Sequence, residues 1–249
     1  MNYPKVSIIT VTYNAAEGLQ KTLENISRSN YPDFEVIVID GASTDETPQV
    51  TAAFSGRIDR LVSEPDNGIY DAMNKGLKLA SGEYVWFINA GDEIHDPETI
   101  TRLFDGRPQQ ADIYYGETII RSESGEIRGL RKKKLPEKMT WRSFRRGMVV
   151  CHQSILVRRE IAPPYDLKYR YAADVEWVLL ALQRARTIVN TQTVLSEFVL
   201  GGASTRYRKT SLKERYRIMK QYFGTTATWL AHAGFLFDAL KPKFRKIDS

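Results

Sequence analysis

Cysteine is almost absent from this 249-residue chain: Cys151 stands alone, beside only three histidines. One thiol makes neither an intrachain disulfide nor a thiolate zinc cluster, so disulfide scaffolds and zinc-finger modules are excluded and a reducing compartment fits. Long hydrophobic runs are missing as well; none approaches the roughly 18 apolar residues of a membrane span. The first apolar stretch, Val6–Val11, follows one lysine and leads into Tyr13-Asn14, which reads as a buried strand and not as a leader. A cytoplasmic protein is expected, held at most against the inner face of the cytoplasmic membrane. Glycine-rich phosphate loops are lacking too. No G-x-G-x-x-G follows the first strand and no G-x-x-x-x-G-K-S/T occurs, which removes the main support for dinucleotide and P-loop chemistry.

What is present is a 42% hydrophobic content, enough for one large α/β domain or two small ones and too much for a disordered chain. The net charge of +6 hides a division. Residues 1–100 carry 7 Lys+Arg against 16 Asp+Glu, a balance of −9, and residues 101–249 carry 29 against 14, a balance of +15. An acidic half followed by a basic half fits cation binding first and contact with an anionic partner second; plain solubility is the simpler alternative.

The first hundred residues alternate between two periods. Val6–Val11, Glu35–Asp40, Leu61-Val62 and Tyr84–Ile88 read as strands. Between them, Leu19, Leu23 and Ile26 share one helical face, Ser43 and Glu46 read as a capping box opening a helix to about Phe54, and a further helix is expected over about 70–80. Such alternation predicts a parallel sheet with helical crossovers. Beyond residue 100 the pattern is mixed. Ile113-Tyr114-Tyr115 and Met148–Val157 read as strands, and Asp174–Arg186 reads as a helix burying Val178, Leu179 and Leu182. The run Arg131-Lys132-Lys133-Lys134 reads as a solvated loop or edge, and helix resumes from about Thr210.

Ligands of open α/β sheets bind beyond the carboxyl ends of the strands. The expected strands end in Thr12-Tyr13-Asn14, in Asp40-Gly41-Ala42-Ser43-Thr44-Asp45 and in Asn89-Ala90-Gly91-Asp92, so polar and acidic residues gather on one edge. A nucleotide could be held there through base and ribose by Asp40, with Mg2+ or Mn2+ bridging its phosphates to Asp92. Taken alone, Asp92 is more commonly a loop residue or a helix cap.

At this point the chain resembles a known family. Val6-Ser7-Ile8-Ile9-Thr10-Val11-Thr12-Tyr13-Asn14 and the Val38–Asp45 segment are similar to the opening of family 2 glycosyltransferases of the GT-A fold. Ser63-Glu64-Pro65-Asp66-Asn67-Gly68-Ile69-Tyr70-Asp71-Ala72-Met73-Asn74-Lys75-Gly76, with Phe87–Asp92, is similar to the branch that builds bacterial cell-surface polysaccharides, lipopolysaccharide included. The resemblance covers about residues 4–204. It implies an α/β nucleotide-diphospho-sugar transferase fold: a mostly parallel central sheet flanked by helices, catalytic over 1–205, with a basic, amphipathic helical extension over 206–249.

Carried over by residue, the resemblance puts Asp40 on the uracil or ribose side of a nucleotide-sugar, with Thr12, Tyr13 and Asn14 lining the same pocket. Asp45 would cap or support the following helix. Asp66, Asn67 and Gly68 would lie near the donor, as would Asn89, Ala90 and Gly91, with Asp71 and Asn74 on the helix behind. Asp92 would bind the metal, although the family's Asp-x-Asp is here Asn89-Ala90-Gly91 and only the next residue is acidic. In Ala172-Ala173-Asp174-Val175-Glu176-Trp177, Asp174 matches the general base of inverting members, with Ala173 where a Glu is usual; an Asp N-cap is the alternative. His152 would lie on the acceptor side, against a structural histidine as the plainer reading. Gly201–Ser204 would close over the diphosphate with Arg206 or Arg208, and Trp86, Trp141 and Trp177 are sugar-stacking candidates whose default is burial.

The function so implied is an inverting hexosyl- or N-acetylhexosaminyltransferase, metal-dependent, moving sugar from a UDP-sugar to a hydroxyl of a glycan or lipid-linked acceptor. A non-catalytic sugar-nucleotide scaffold is the first rival. A nucleic-acid-binding module is the second, raised by the basic charge and weakened by the lack of a reader motif, so no nucleic acid partner is expected. Trp229, Leu230, Phe235, Leu236, Phe237 and Leu240, flanked by basic residues, point to peripheral contact with an anionic membrane; packing on the catalytic domain or a homodimer contact is the alternative.

Overall fold

The β-branched run near the start of the chain forms β1 (Val6–Thr12), buried at every position. The structure is a computed structural model that describes residues 3–105, 111–122, 124–201, 207–238 and 244–245. After β1 come α1 (Ala16–Ile26), β2 (Phe34–Asp40), α2 (Thr47–Ala53), β3 (Arg60–Ser63), α3 (Ile69–Leu79) and β4 (Tyr84–Phe87). Strands β3, β2, β1 and β4 lie side by side and all pair in parallel. Along β1 and β2 the side chains alternate between two cores. Ile9, Val11, Ile37 and Ile39 face the layer containing α3, whereas Ile8, Val36 and Val38 face α1. Covering on both faces explains why these strands read as unbroken apolar runs. At Gly76 of α3 a Cβ would collide with the Ile9 side chain, so the missing side chain is what lets α3 settle onto β1.

The second half contributes β5 (Glu93–Ile94), α4 (Thr99–Phe104), β6 (Ile113–Arg121), β7 (Ile127–Arg131), β8 (Ile155–Arg158), α5 (Ala173–Arg184) and β9 (Ile188–Val199), then α6 (Arg208–Phe223), α7 (Thr225–Asp238) and β10 (Phe244–Arg245). The main path of the sheet runs β10-β7-β6-β8-β4-β1-β2-β3, with β9 beside β6 and β5 beside β9. The expected α/β sheet flanked by helices is present, and its parallel pairing holds for the first four strands and for β6 with β9. The β4–β8, β6–β8, β6–β7, β5–β9 and β7–β10 pairs are antiparallel, so the sheet is mixed. Parallel neighbours need a crossover, and helices between successive strands are regular only in the first hundred residues.

Three local expectations are corrected. Ser43 and Glu46 form no capping box, because the Ser43 hydroxyl donates to Asp40 and accepts the Asn14 N–H. Helix α2 starts instead at Thr47-Pro48, where proline's fixed φ suits a first turn, and Asp45 accepts the Thr47 N–H. Met148–Val157 is not one strand. His152–Ser154 forms a 3-10 turn and β8 begins at Ile155, because three successive polar side chains all find buried partners, which a strand's alternation would not allow. Arg131 is not on a solvated face; it closes β7 and donates to the Met148 carbonyl at 2.9 Å. The basic segment after residue 206 also docks. Ile218 of α6 is buried in the core shared with Trp177 and Val178, and Glu214 accepts the Arg170 and Tyr171 N–H groups.

Candidate active site

The turns that follow β1 and β2 are tied to each other. Asn14 and Ala42 both adopt left-handed backbone, at φ 46° and 60°, a conformation that costs energy without glycine and concentrates at functional sites. Asn14 donates its N–H to Ser43 Oγ at 2.8 Å and accepts the Thr44 N–H on Oδ1 at 2.8 Å. Asp40, the last residue of β2, is buried and accepts from the Ser43 N–H, the Ser43 hydroxyl and, at 2.6 Å, the Ser63 hydroxyl. A Cβ at Gly41 would press on the Asp66 carboxylate and the Tyr13 ring, so the missing side chain leaves room for these two beside the end of β2. Asp66 in turn accepts the Gly68 N–H at 2.7 Å, and Asn67 donates to Asp71 at 3.0 Å. Thr12, Tyr13, Asn14, Asp40, Asp66, Asn67 and Gly68 are thereby brought to one edge.

Beyond β4, Ala90 donates to the Val11 carbonyl and Gly91 to Thr22 Oγ1, which fixes Asn89-Ala90-Gly91-Asp92 against β1 and α1. Asp92 is 5% exposed. Gln153 donates to its Oδ2 at 2.8 Å and the Val199 N–H points at its Oδ1 at 3.4 Å. Burial outweighs these bonds and pushes the carboxyl up to about 7. Nearby, Thr12 Oγ1 and Asn89 Oδ1 are buried oxygens with no hydrogen-bond partner among the described residues. Buried polar atoms are usually satisfied, and these two orphans lie at adjoining strand ends. Among the described residues no group of three or more His, Cys, Asp or Glu is arranged to hold a metal. The oxygens at this strand end that a hard cation could take are those of Asp92, both already accepting hydrogen bonds, and Asn89 Oδ1.

Asp174 is half-buried in the first turn of α5, and it does not cap the helix; Ala172 holds that position. The Tyr70 hydroxyl, from the first turn of α3, donates to Asp174 Oδ1 at 3.0 Å. Burial, and then the Asp174 charge, raises the Tyr70 pKa well above its ordinary value, so Tyr70 stays a donor. Its ring stacks on Tyr165, which stacks on Trp177 at 5.3 Å. Asn74 holds the Tyr165 backbone by two hydrogen bonds. His152 is buried within this wall, 2.6 Å from the Tyr165 hydroxyl, and burial lowers its pKa to about 4, leaving it neutral. Trp86 and Trp177 are buried, with their indoles bound to the Gln153 and Pro163 carbonyls, and Trp141 stacks on Phe223. Gly202–Ser204 and Arg206 lie outside the described residues; Arg208 opens α6 on the surface. From sequence Gln153 is placed with His152 near the acceptor side, whereas Tyr70 and Tyr165 are given no role. Only Tyr70 had a local signal, its place in a helix-opening motif.

The family profile described as Glycosyl transferase family 2 matches residues 7–163. A PGL/p-HBAD biosynthesis glycosyltransferase of Mycobacterium bovis is 36% identical over 182 residues, 70% of this chain and 68% of its own length. The putative teichuronic acid biosynthesis glycosyltransferase TuaG of Bacillus subtilis is 23% identical across 91% of this chain and 92% of its own. Among solved structures, S. aureus TarS 1-349 in complex with UDP-GlcNAc superposes with a TM-score of 0.67 at 20% identity, over 87% of this chain and 65% of that one. The mannosyltransferase PcManGT from Pyrobaculum calidifontis, in complex with GDP-Man and Mn2+, gives 0.63 at 18% identity over 97% and 77%. These structural likenesses establish the GT-A fold. The profile spans more than half of the sequence and the mycobacterial relative shares over a third of its residues along most of it, and so the chain belongs to glycosyl transferase family 2.

Proposed function

We propose that the chain is an inverting glycosyltransferase that moves a hexosyl or N-acetylhexosaminyl group from a UDP-sugar to a hydroxyl of a glycan or lipid-linked acceptor in cell-surface polysaccharide synthesis. One observation carries the reading. The first turn of α3 joins both halves of the site: Asp66–Gly68, just before it, lies beside the end of β2, and Tyr70, two residues on, grips Asp174. Relatives named for PGL/p-HBAD and teichuronic acid biosynthesis support the cell-surface assignment, and the UDP-GlcNAc complex of a neighbour supports the donor. Residues 1–205 would form the catalytic domain and 206–249 the helical extension.

In this mechanism Asp40, Thr12, Tyr13 and Asn14 hold the base and ribose. Asp66, Asn67 and Gly68 line the donor's other side. Asp174 takes the proton of the acceptor hydroxyl as its oxygen bonds to the anomeric carbon, and the bond to the diphosphate breaks with its electron pair on the leaving group. Asp92, with Asn89 Oδ1, would hold a divalent cation, Mn2+ or Mg2+, whose chemistry is to offset charge on the departing diphosphate. His152 acts from behind, through Tyr165, on the acceptor side.

Tyr70→Phe keeps the ring stack and deletes one hydrogen bond to a carboxylate, so kcat falls about tenfold with KM little changed. A kcat equal to the parent's would remove Tyr70 from catalysis.

The reading is tested by thermal denaturation with UDP, GDP and ADP, each with and without Mn2+. A ligand at 100 times its Kd stabilises by about 2.7 kcal/mol. UDP is expected to raise Tm, and more so with Mn2+. A response to GDP alone reassigns the donor, and no response to any nucleotide rejects the proposal. Nucleotide binding without transfer or donor hydrolysis would leave a sugar-nucleotide scaffold.

A further inference from the structure

We propose that the face built by the 3-10 helix Trp141–Arg146 and the first turns of α7 docks on an anionic phospholipid bilayer. The two elements pack together and flank an open groove of about 290 Å³ lined by Arg145, Arg146, Ala227, Leu230 and Ala231. Trp229 is 65% exposed and Leu230 72%, adjacent on a helix whose other side buries Thr228 and Ala231. Their outward position is thus fixed by the packing beneath. Trp141 stacks on Phe223 and Phe144 is fully buried, so the 3-10 helix is anchored as firmly.

Among the described residues, every exposed charge on the 3-10 helix and on α6 is positive. Arg142, Arg145 and Arg146 are exposed on the 3-10 helix, and Lys209, Lys213, Arg217 and Lys220 are exposed on α6. The one acid of α6, Glu214, is turned inward onto backbone N–H groups. An exposed Trp-Leu pair beside the Arg145 and Arg146 guanidinium groups matches the boundary between hydrocarbon and anionic headgroups, where indole and guanidinium are each well placed. A second copy of the chain is the weaker occupant. A two-fold contact would set Arg142, Arg145 and Arg146 against their own counterparts, which like-charge repulsion disfavours.

The test is sedimentation of the full chain with vesicles of phosphatidylcholine alone or mixed with phosphatidylglycerol. Binding is expected only to the mixed vesicles and is lost as salt rises. Arg142→Gln with Arg145→Gln and Arg146→Gln weakens it about 100-fold, at roughly fivefold per cation near an anionic surface. Trp229→Ser with Leu230→Ser weakens it at least tenfold. All five positions are exposed, so both variants keep the parent Tm, and the readout is independent of donor binding and of transfer. The proposal is overturned if the intact chain ignores the mixed vesicles, or if both variants bind as the parent does. Binding to RNA but not to vesicles overturns it too, as does a dimer that Trp229→Ser with Leu230→Ser dissociates while no vesicle binding is seen.

Discussion

Asp174→Asn lowers kcat by roughly 10²–10⁴-fold and leaves folding and nucleotide binding close to the parent. Asparagine has the same shape, and its Oδ1 still accepts from the Tyr70 hydroxyl, which sits 3.0 Å away in the native chain. What it lacks is a site for the acceptor's proton. The change should cost little stability, because Asp174 caps nothing: Ala172 is the N-cap of α5, and the carboxylate has only its favourable place near the helix N-terminus to lose, about 0.3–1 kcal/mol. Sugar transfer and thermal stabilisation by UDP are measured on the same preparation. Retained stabilisation with scarcely any product assigns the base. Near-parent turnover would reduce Asp174 to a structural carboxylate and take the inverting mechanism with it.

Much of the fold is legible in the sequence because both faces of the parallel strands are covered. Burial of this kind writes β1, β2 and β4 as continuous apolar runs, while α1, α3 and α5 each carry a helical stripe. The helix expected over 70–80 forms as Ile69–Leu79, and that expected from Asp174 to Arg186 forms as Ala173–Arg184. The positions of Thr12–Asn14, Asp40 and Asn89–Asp92 follow from topology, since parallel strands end on the same edge. What no local pattern encodes is partnership. Tyr70 and Asp174 are 104 residues apart, and Asp92 meets Gln153 and Val199 at separations of 61 and 107. The same holds for His152, whose burial depends on rings from Phe87, Tyr165 and Trp177. Arg131 is misread for a related reason. Four consecutive cations resemble a solvated surface, and nothing in that run shows that the first of them donates to the Met148 carbonyl.

Glu35→Gln destabilises the fold by about 3 kcal/mol at pH 7, and the difference disappears in acid. Glu35 sits on β2 opposite Ser7 of β1 and is 3% exposed, a carboxylate within a strand that otherwise reads as core. Burial alone would raise its pKa. Hydrogen bonds from the Ser7 hydroxyl, the Ser81 N–H and hydroxyl, and Lys5 outweigh that and bring it down to about 2. The Gly82 N–H adds a further donor at 3.1 Å, and the Lys5 ammonium lies 3.3 Å from Oε2. A folded pKa below the ordinary 4.5 means that the unfolded chain binds the extra proton first. The stabilisation is therefore complete above about pH 4.5 and is lost as pH falls from there towards 2. Urea denaturation of parent and variant at pH 7, 4.5, 3.5 and 2.5 reads this directly. Glutamine places an amide N–H₂ among donors and does not titrate, so the variant's stability should fall less steeply than the parent's, both sharing the decline from other carboxylates that the fold holds low, Asp96, Asp112 and Glu197 among them. Parallel curves with a constant gap would show that packing, and not the charge, is what Glu35 supplies. A convergence at low pH would show that ionised Glu35 is what holds β1 to β2 at Ser7, on the strands whose ends carry Thr12 and Asp40.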